Sequence, residues 1–122
     1  MISWRKHYKR GLIAIGLLLS TSASIYAQGD AKNGEKLFKA NCTACHALDK
    51  QLVGPALGGV VDRLKKEQNL DTDWLHKWIK DNKSLRESGD KYAIEVYEKF
   101  NKTEMLAYPN LTDQDINDIL EY

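Results

Sequence analysis

Beyond residue 28, apolar side chains recur at intervals of three and four, and no alternation of apolar and polar positions lasts long enough to predict a strand. In "GEKLFKANCTAC" the positions Gly34, Phe38, Cys42 and Cys45 fall on one helical face. "LGGVVDRL" groups Leu57, Val60, Val61 and Leu64 in the same way. "DTDWLHKWIKDN" groups Trp74, Leu75, Trp78 and Ile79 behind an N-cap at Asp71 or Thr72. "DKYAIEVYEKF" brings together Tyr92, Ala93, Val96, Tyr97 and Phe100. The last stretch, "LTDQDINDILEY", starts with Thr112 as cap and Asp115 in the capping-box position, and turns Ile116, Ile119 and Leu120 inward. The segments "DKQLVGPALGG", "KSLRESGD" and "NKTEMLAYPN" carry the Gly, Pro, Ser and Asn that interrupt helices. The pattern predicts an all-α domain of four to five short helices.

The first 27 residues follow another logic. Arg5, Lys6, Lys9 and Arg10 precede the apolar run "GLIAIGLLLS", and small residues lead up to Ala27. That order is a secretory signal peptide, so residues 1–27 are expected to be removed and residues 28–122 to form the working domain, exported to the periplasm. The rival reading is an uncleaved membrane anchor; the apolar run is about ten residues, short of the ~20 that a spanning helix needs. Without the signal, 14 basic residues face 17 acidic ones, a net charge of −3 with neutral histidines. Nucleic acid, which calls for a clustered basic surface, is excluded as a partner. A domain this small buries only a modest core and usually needs a disulfide, metal or large cofactor.

The chain has two cysteines, Cys42 and Cys45, and His46 follows directly in "CTACH". A redox dithiol of the thioredoxin kind sits at a strand-to-helix junction, and nothing strand-like precedes this motif. A zinc centre needs four ligands, commonly from two such pairs, and here there is one pair. A structural disulfide would close a trivially short loop. CxxC-H is also the attachment run of a c-type haem. Its spacing puts two sulfurs toward one edge of the porphyrin and an imidazole under the iron, on a helical turn that ends at His46. A haem needs either a second axial ligand or an open iron. Met105, in the loop before the last helix, is the single methionine after the signal; a lone Met is ordinarily core filler.

These residues resemble the class I monohaem cytochromes c, over residues 30–122. The likeness runs from Gly34 and Phe38 into "CTACH", then through "GPAL" at Gly54–Leu57, "WI" at Trp78 and Ile79, the methionine loop and a last helix ending at Tyr122. The tail "YPNLTDQDINDIL" is similar to bacterial cytochrome c domains that work beside haem–copper oxidases. The resemblance implies thioethers at Cys42 and Cys45, His46 as proximal and Met105 as distal iron ligand, and the Pro55 carbonyl as acceptor for the His46 ring. It implies a crossing of the first and last helices near Gly34 and Tyr122, and one covalent haem c. Between Ser84 and Asn101 a longer helix than in the smallest members is expected.

An iron with both axial positions filled has no place for a substrate, and thioether sulfur favours the ferrous state. The implied function is a non-enzymatic one-electron carrier, with no small-molecule substrate. Its transient partners would be membrane respiratory complexes, a quinol-oxidising complex on one side and a terminal oxidase or reductase on the other. The alternatives are a haem enzyme or gas sensor with an open axial position, and a haem-free thiol–disulfide oxidoreductase. Trp74 and Trp78 read as core or haem-packing residues, and Tyr108 as either crevice lining or ordinary packing. His76 reads as exposed, and Asp113, Asp115 and Asp118 as a helix start plus a solvated face.

Overall fold

A computed structural model describes residues 29–122, so the predicted signal peptide at 1–27 lies outside the described residues. These contain five helices and no strand: α1 (Ala31–Asn41), α2 (Val60–Gln68), α3 (Thr72–Glu87), α4 (Lys91–Lys99) and α5 (Asp113–Glu121). Each start except that of α2 is capped by a side chain. Asp30 accepts from the backbone of Lys32 and Asn33, Asp71 from Trp74, and Asp90 from Ala93. Thr112 and Asp115 form the reciprocal capping box that their spacing predicts. The start of α2 is made instead by Gly59 at φ 64°, a left-handed conformation that glycine adopts at little cost.

The first and last helices cross where their backbones nearly touch. A Cβ on Gly34 would collide with the Asp118 carbonyl, and only glycine fits there. One turn along, the rings of Phe38 and Tyr122 meet with centroids 5.6 Å apart. Asp118 is not solvated as its place in the sequence suggested: it is 4% exposed, and its carboxylate accepts from the Asp30 N–H, Asn33 Nδ2 and Gln114 Nε2 at 2.7, 2.7 and 2.8 Å. Those three donors hold its carboxyl below the usual range, the Asp30 N–H contributing most.

Leu64, Trp74, Leu75 and Ala93 form the second buried cluster, joining α2, α3 and α4. Trp74 stacks on Trp78 (5.3 Å, 10°) and meets Tyr92 edge-tilted (5.2 Å), while its indole N–H donates to Asp90. The segment Ser84–Asn101 is not one helix. Residues up to Glu87 belong to α3, and Gly89 at φ 86° turns the chain into α4. Within α3, Asp81 (φ −159°, ψ 76°) leaves the helical conformation, so the element is two helical segments joined at that residue. His76, expected to be exposed, is half-buried between α3 and α5, with Nε2 2.9 Å from Asn117 Oδ1. Among the described residues no helix is long and apolar enough to cross a membrane.

Candidate haem site

Helix α1 ends at Asn41, before the two cysteines rather than after them. Cys42 is its C-cap, and the chain then closes a tight turn in which the Cys45 and His46 N–H groups both donate to the Cys42 carbonyl, at 3.2 and 2.9 Å. Cys42 is half-buried and Cys45 exposed, and the two are not joined. Burial pushes the Cys42 thiol up, and a helix C-terminus offers it no stabilising positive dipole. His46 Nδ1 lies 2.9 Å from the Pro55 carbonyl oxygen. A Cβ on Gly54 would run into the His46 ring, so the backbone of the "GPAL" segment packs directly against the imidazole. The Gly54 N–H in turn donates to the Cys45 carbonyl at 2.9 Å, tying that segment to the cysteine turn.

The methionine loop has no regular structure between Thr103 and Tyr108, yet Glu104, Met105 and Tyr108 are each tied to another part of the chain. Glu104 pairs with Arg86 at 2.6 Å, and the guanidinium also sits 3.9 Å above the Tyr97 ring. Met105 Sδ accepts from Trp78 Nε1 at 3.0 Å, and the Met105 carbonyl accepts from Asn82 Nδ2 at 3.0 Å. The Tyr108 N–H donates to the Ile79 carbonyl at 3.0 Å. Its hydroxyl donates to the Asn41 carbonyl at 2.6 Å, one residue before Cys42. Tyr108 therefore bridges the methionine loop and the cysteine turn, beyond either of the roles its sequence position offered.

Cys42, Cys45, His46, Pro55 and Met105 all line one cavity of about 1110 Å³, together with Phe38, Trp78 and Tyr108. Ligand cavities commonly reach about 1,000 Å³, so this one accommodates a large flat group. Residues 31–122 match the family model described as cytochrome c. The chain belongs to the cytochrome c family.

A 44-residue segment is 54% identical to a cytochrome c2 of Rhodopseudomonas palustris, covering 36% of this chain and 31% of that protein. The chain thus spans less than a third of that relative. A cytochrome c6 of Cyanidioschyzon merolae is 28% identical over 93 residues, 76% of this chain and 71% of that one. Among solved structures, a cytochrome c from Rhodothermus marinus superposes with a TM-score of 0.61 at 26% identity, covering 75% of this chain and 72% of its own. The all-α architecture is the class I cytochrome c fold, and the domain is one that carries a single covalent haem c. The residues fit that group. Two thiols at the spacing of the attachment motif, an imidazole packed on a glycine, and an apolar cavity reached by a thioether together suit a covalently held macrocycle.

Sequence reading passed over Asn82 and Arg86. Asn82 starts the helical segment after the break at Asp81, and the Asp81–Ser84 capping pattern just around it was the available signal.

Proposed function

We propose that this cytochrome c domain is an exported one-electron carrier. Its haem would be attached through Cys42 and Cys45 and its iron bound by His46 and Met105. The observation that carries the reading is that the imidazole and the thioether line one cavity, each with its own partner. Pro55 accepts from His46 Nδ1–H, which fixes the tautomer and leaves Nε2 as the coordinating nitrogen. Trp78 donates to the Met105 sulfur, and a thioether sulfur keeps a second lone pair for a metal. When bound, the haem supplies a one-electron couple. His46 and Met105 would hold the iron, and the side chains lining the cavity would keep water from it and limit movement between oxidation states.

The haem-free dithiol reading meets two obstacles. The motif comes after a helix rather than opening one, and Cys42 is raised where an attacking thiol needs to be lowered. The proposed partners are a quinol-oxidising membrane complex as donor and a terminal oxidase or reductase as acceptor, met transiently in the periplasm.

Protein matured with haem-attachment machinery tests the reading. Intact mass should equal the polypeptide from Gln28 onward plus one haem that survives acid–acetone extraction. The ferric spectrum should be low-spin with the weak far-red sulfur-to-iron band. Extractable haem refutes covalent attachment, an intact Met1 end in membranes refutes export with cleavage, and a high-spin ferric form that turns over peroxide refutes the carrier.

A further inference from the structure

Asn82 is among the most deeply buried polar residues described, 2% exposed, and it lies where α3 changes direction. Asp81 leaves the helical conformation and caps the helical turn after it: its carboxylate accepts from the Ser84 N–H at 3.0 Å and the Ser84 hydroxyl at 2.6 Å. That is the N-cap arrangement, so Asn82 becomes the first residue of a second helical segment. Its side-chain amide is delivered to the Met105 carbonyl, 23 residues on in sequence. The loop that receives it has little stiffness of its own. Leu106, after Met105, is 71% exposed, and Pro109 comes only four residues on from Met105. A proline beside the methionine would restrain the backbone covalently, and here a hydrogen bond from a buried amide stands in that place.

We propose that Asn82 is the positioning residue for Met105: by binding the Met105 carbonyl it holds the sulfur at the iron and sets how readily the site opens to outside ligands. The inference rests on Met105 being the distal ligand. Trp78 and Asn82 act on different atoms of the same residue, the first on the sulfur and the second on the backbone that carries it. Loss of the amide leaves a carbonyl without its donor, and that cost falls on the ligated conformation alone, because in the open loop water replaces the amide.

The test uses ferric holoprotein and cyanide as probe. Asn82→Leu, close in size and without a donor, should bind cyanide about tenfold faster than the wild type and about tenfold more tightly, losing the far-red band at a lower cyanide concentration. Asn82→Gln, which keeps a donor, should recover part of both. Ile116→Ala, buried in α5 and outside the cavity, loses global stability and should leave the cyanide rate unchanged. An Asn82→Leu rate equal to wild type overturns the proposal, and so does equal acceleration by Ile116→Ala, which would mean general loosening. Absence of the far-red band in the wild type overturns the ligation reading and this inference together. Should Asn82→Leu fail to fold, Asn82→Ala replaces it: it too lacks the donor to the Met105 carbonyl, so cyanide should bind about tenfold faster than in the wild type, and a rate equal to wild type refutes the role.

Discussion

The Trp78 indole offers a direct handle on the electron affinity of the site. Its Nε1–H donates to Met105 Sδ at 3.0 Å, within the range of a genuine hydrogen bond to sulfur. If Met105 binds the iron, that proton draws electron density from the sulfur and places partial positive charge beside the metal. Both effects disfavour the ferric state, so the bond raises the reduction potential. Trp78→Phe removes the donor and keeps a ring to lie against Trp74, with which Trp78 stacks at 5.3 Å. A single hydrogen bond contributes about 0.5–1.5 kcal/mol. If all of that is differential between oxidation states, the one-electron potential falls by about 20–65 mV. Spectroelectrochemical titration of the holoprotein reads the shift. Trp74→Phe is the control, because it deletes the neighbouring indole N–H, bonded to Asp90, and leaves the sulfur's donor in place. A potential that is unchanged or higher in Trp78→Phe, with the far-red band intact, would refute the reasoning.

Ile116, wholly buried, is expected to lose about 2–5 kcal/mol on truncation to alanine, read as a fall in denaturant midpoint at constant slope. Asp118 has a lowered pKa, so its contribution to stability is present above the unfolded carboxyl's pKa, near 3.9, and is lost as pH falls through the lower folded value. Urea unfolding from pH 6 to pH 2 should show wild type and Asp118→Asn far apart at the top of that range and converging at the bottom. Gly54→Ala puts a methyl into the His46 ring and should shift the Soret band or cut the yield of haem-loaded protein, whereas Gly89→Ala, with open space around it, should not touch the spectrum.

Much of the architecture is legible in the sequence, for physical reasons that differ between elements. Helix faces with three or four apolar residues leave a periodic mark, and the capping box at Thr112 and Asp115 is a purely local device, so α5 could be placed closely. The break at Asp81 was not foreseen, because a continuous helix and a re-capped one share the same apolar spacing up to Ile79. The Asp81–Ser84 pairing was the local clue, but nothing in the sequence says that the carboxylate wins over the helical hydrogen bond. Asp118 and His76 defeated periodicity in another way. Each lies at the margin of its own apolar stripe, and a second element covers it: α1 covers Asp118, and α5 covers His76. Burial of that kind depends on tertiary neighbours. At the site, the attachment motif was visible because chemistry demands its spacing, while the ties of the methionine loop are pairwise contacts across 18 to 67 residues and leave no periodic trace.

The crossing of α1 and α5 bears on how the protein is assembled. Its hydrogen bonds join Asp30 to Asp118, residues 88 apart, so the two ends of the domain must both be present before the ring of helices can close. Closing so long a loop is entropically late. Until α5 arrives, Gly34 and Phe38 lack their partners, and α1 carries the cysteine turn on a short, singly anchored helix. If the chain is exported from its N-terminus, as proposed above, Cys42 and Cys45 would emerge before α5, and the crossing would form last. That order would leave an interval in which haem could be joined to open thiols, and the arrival of the C-terminal helix would end it.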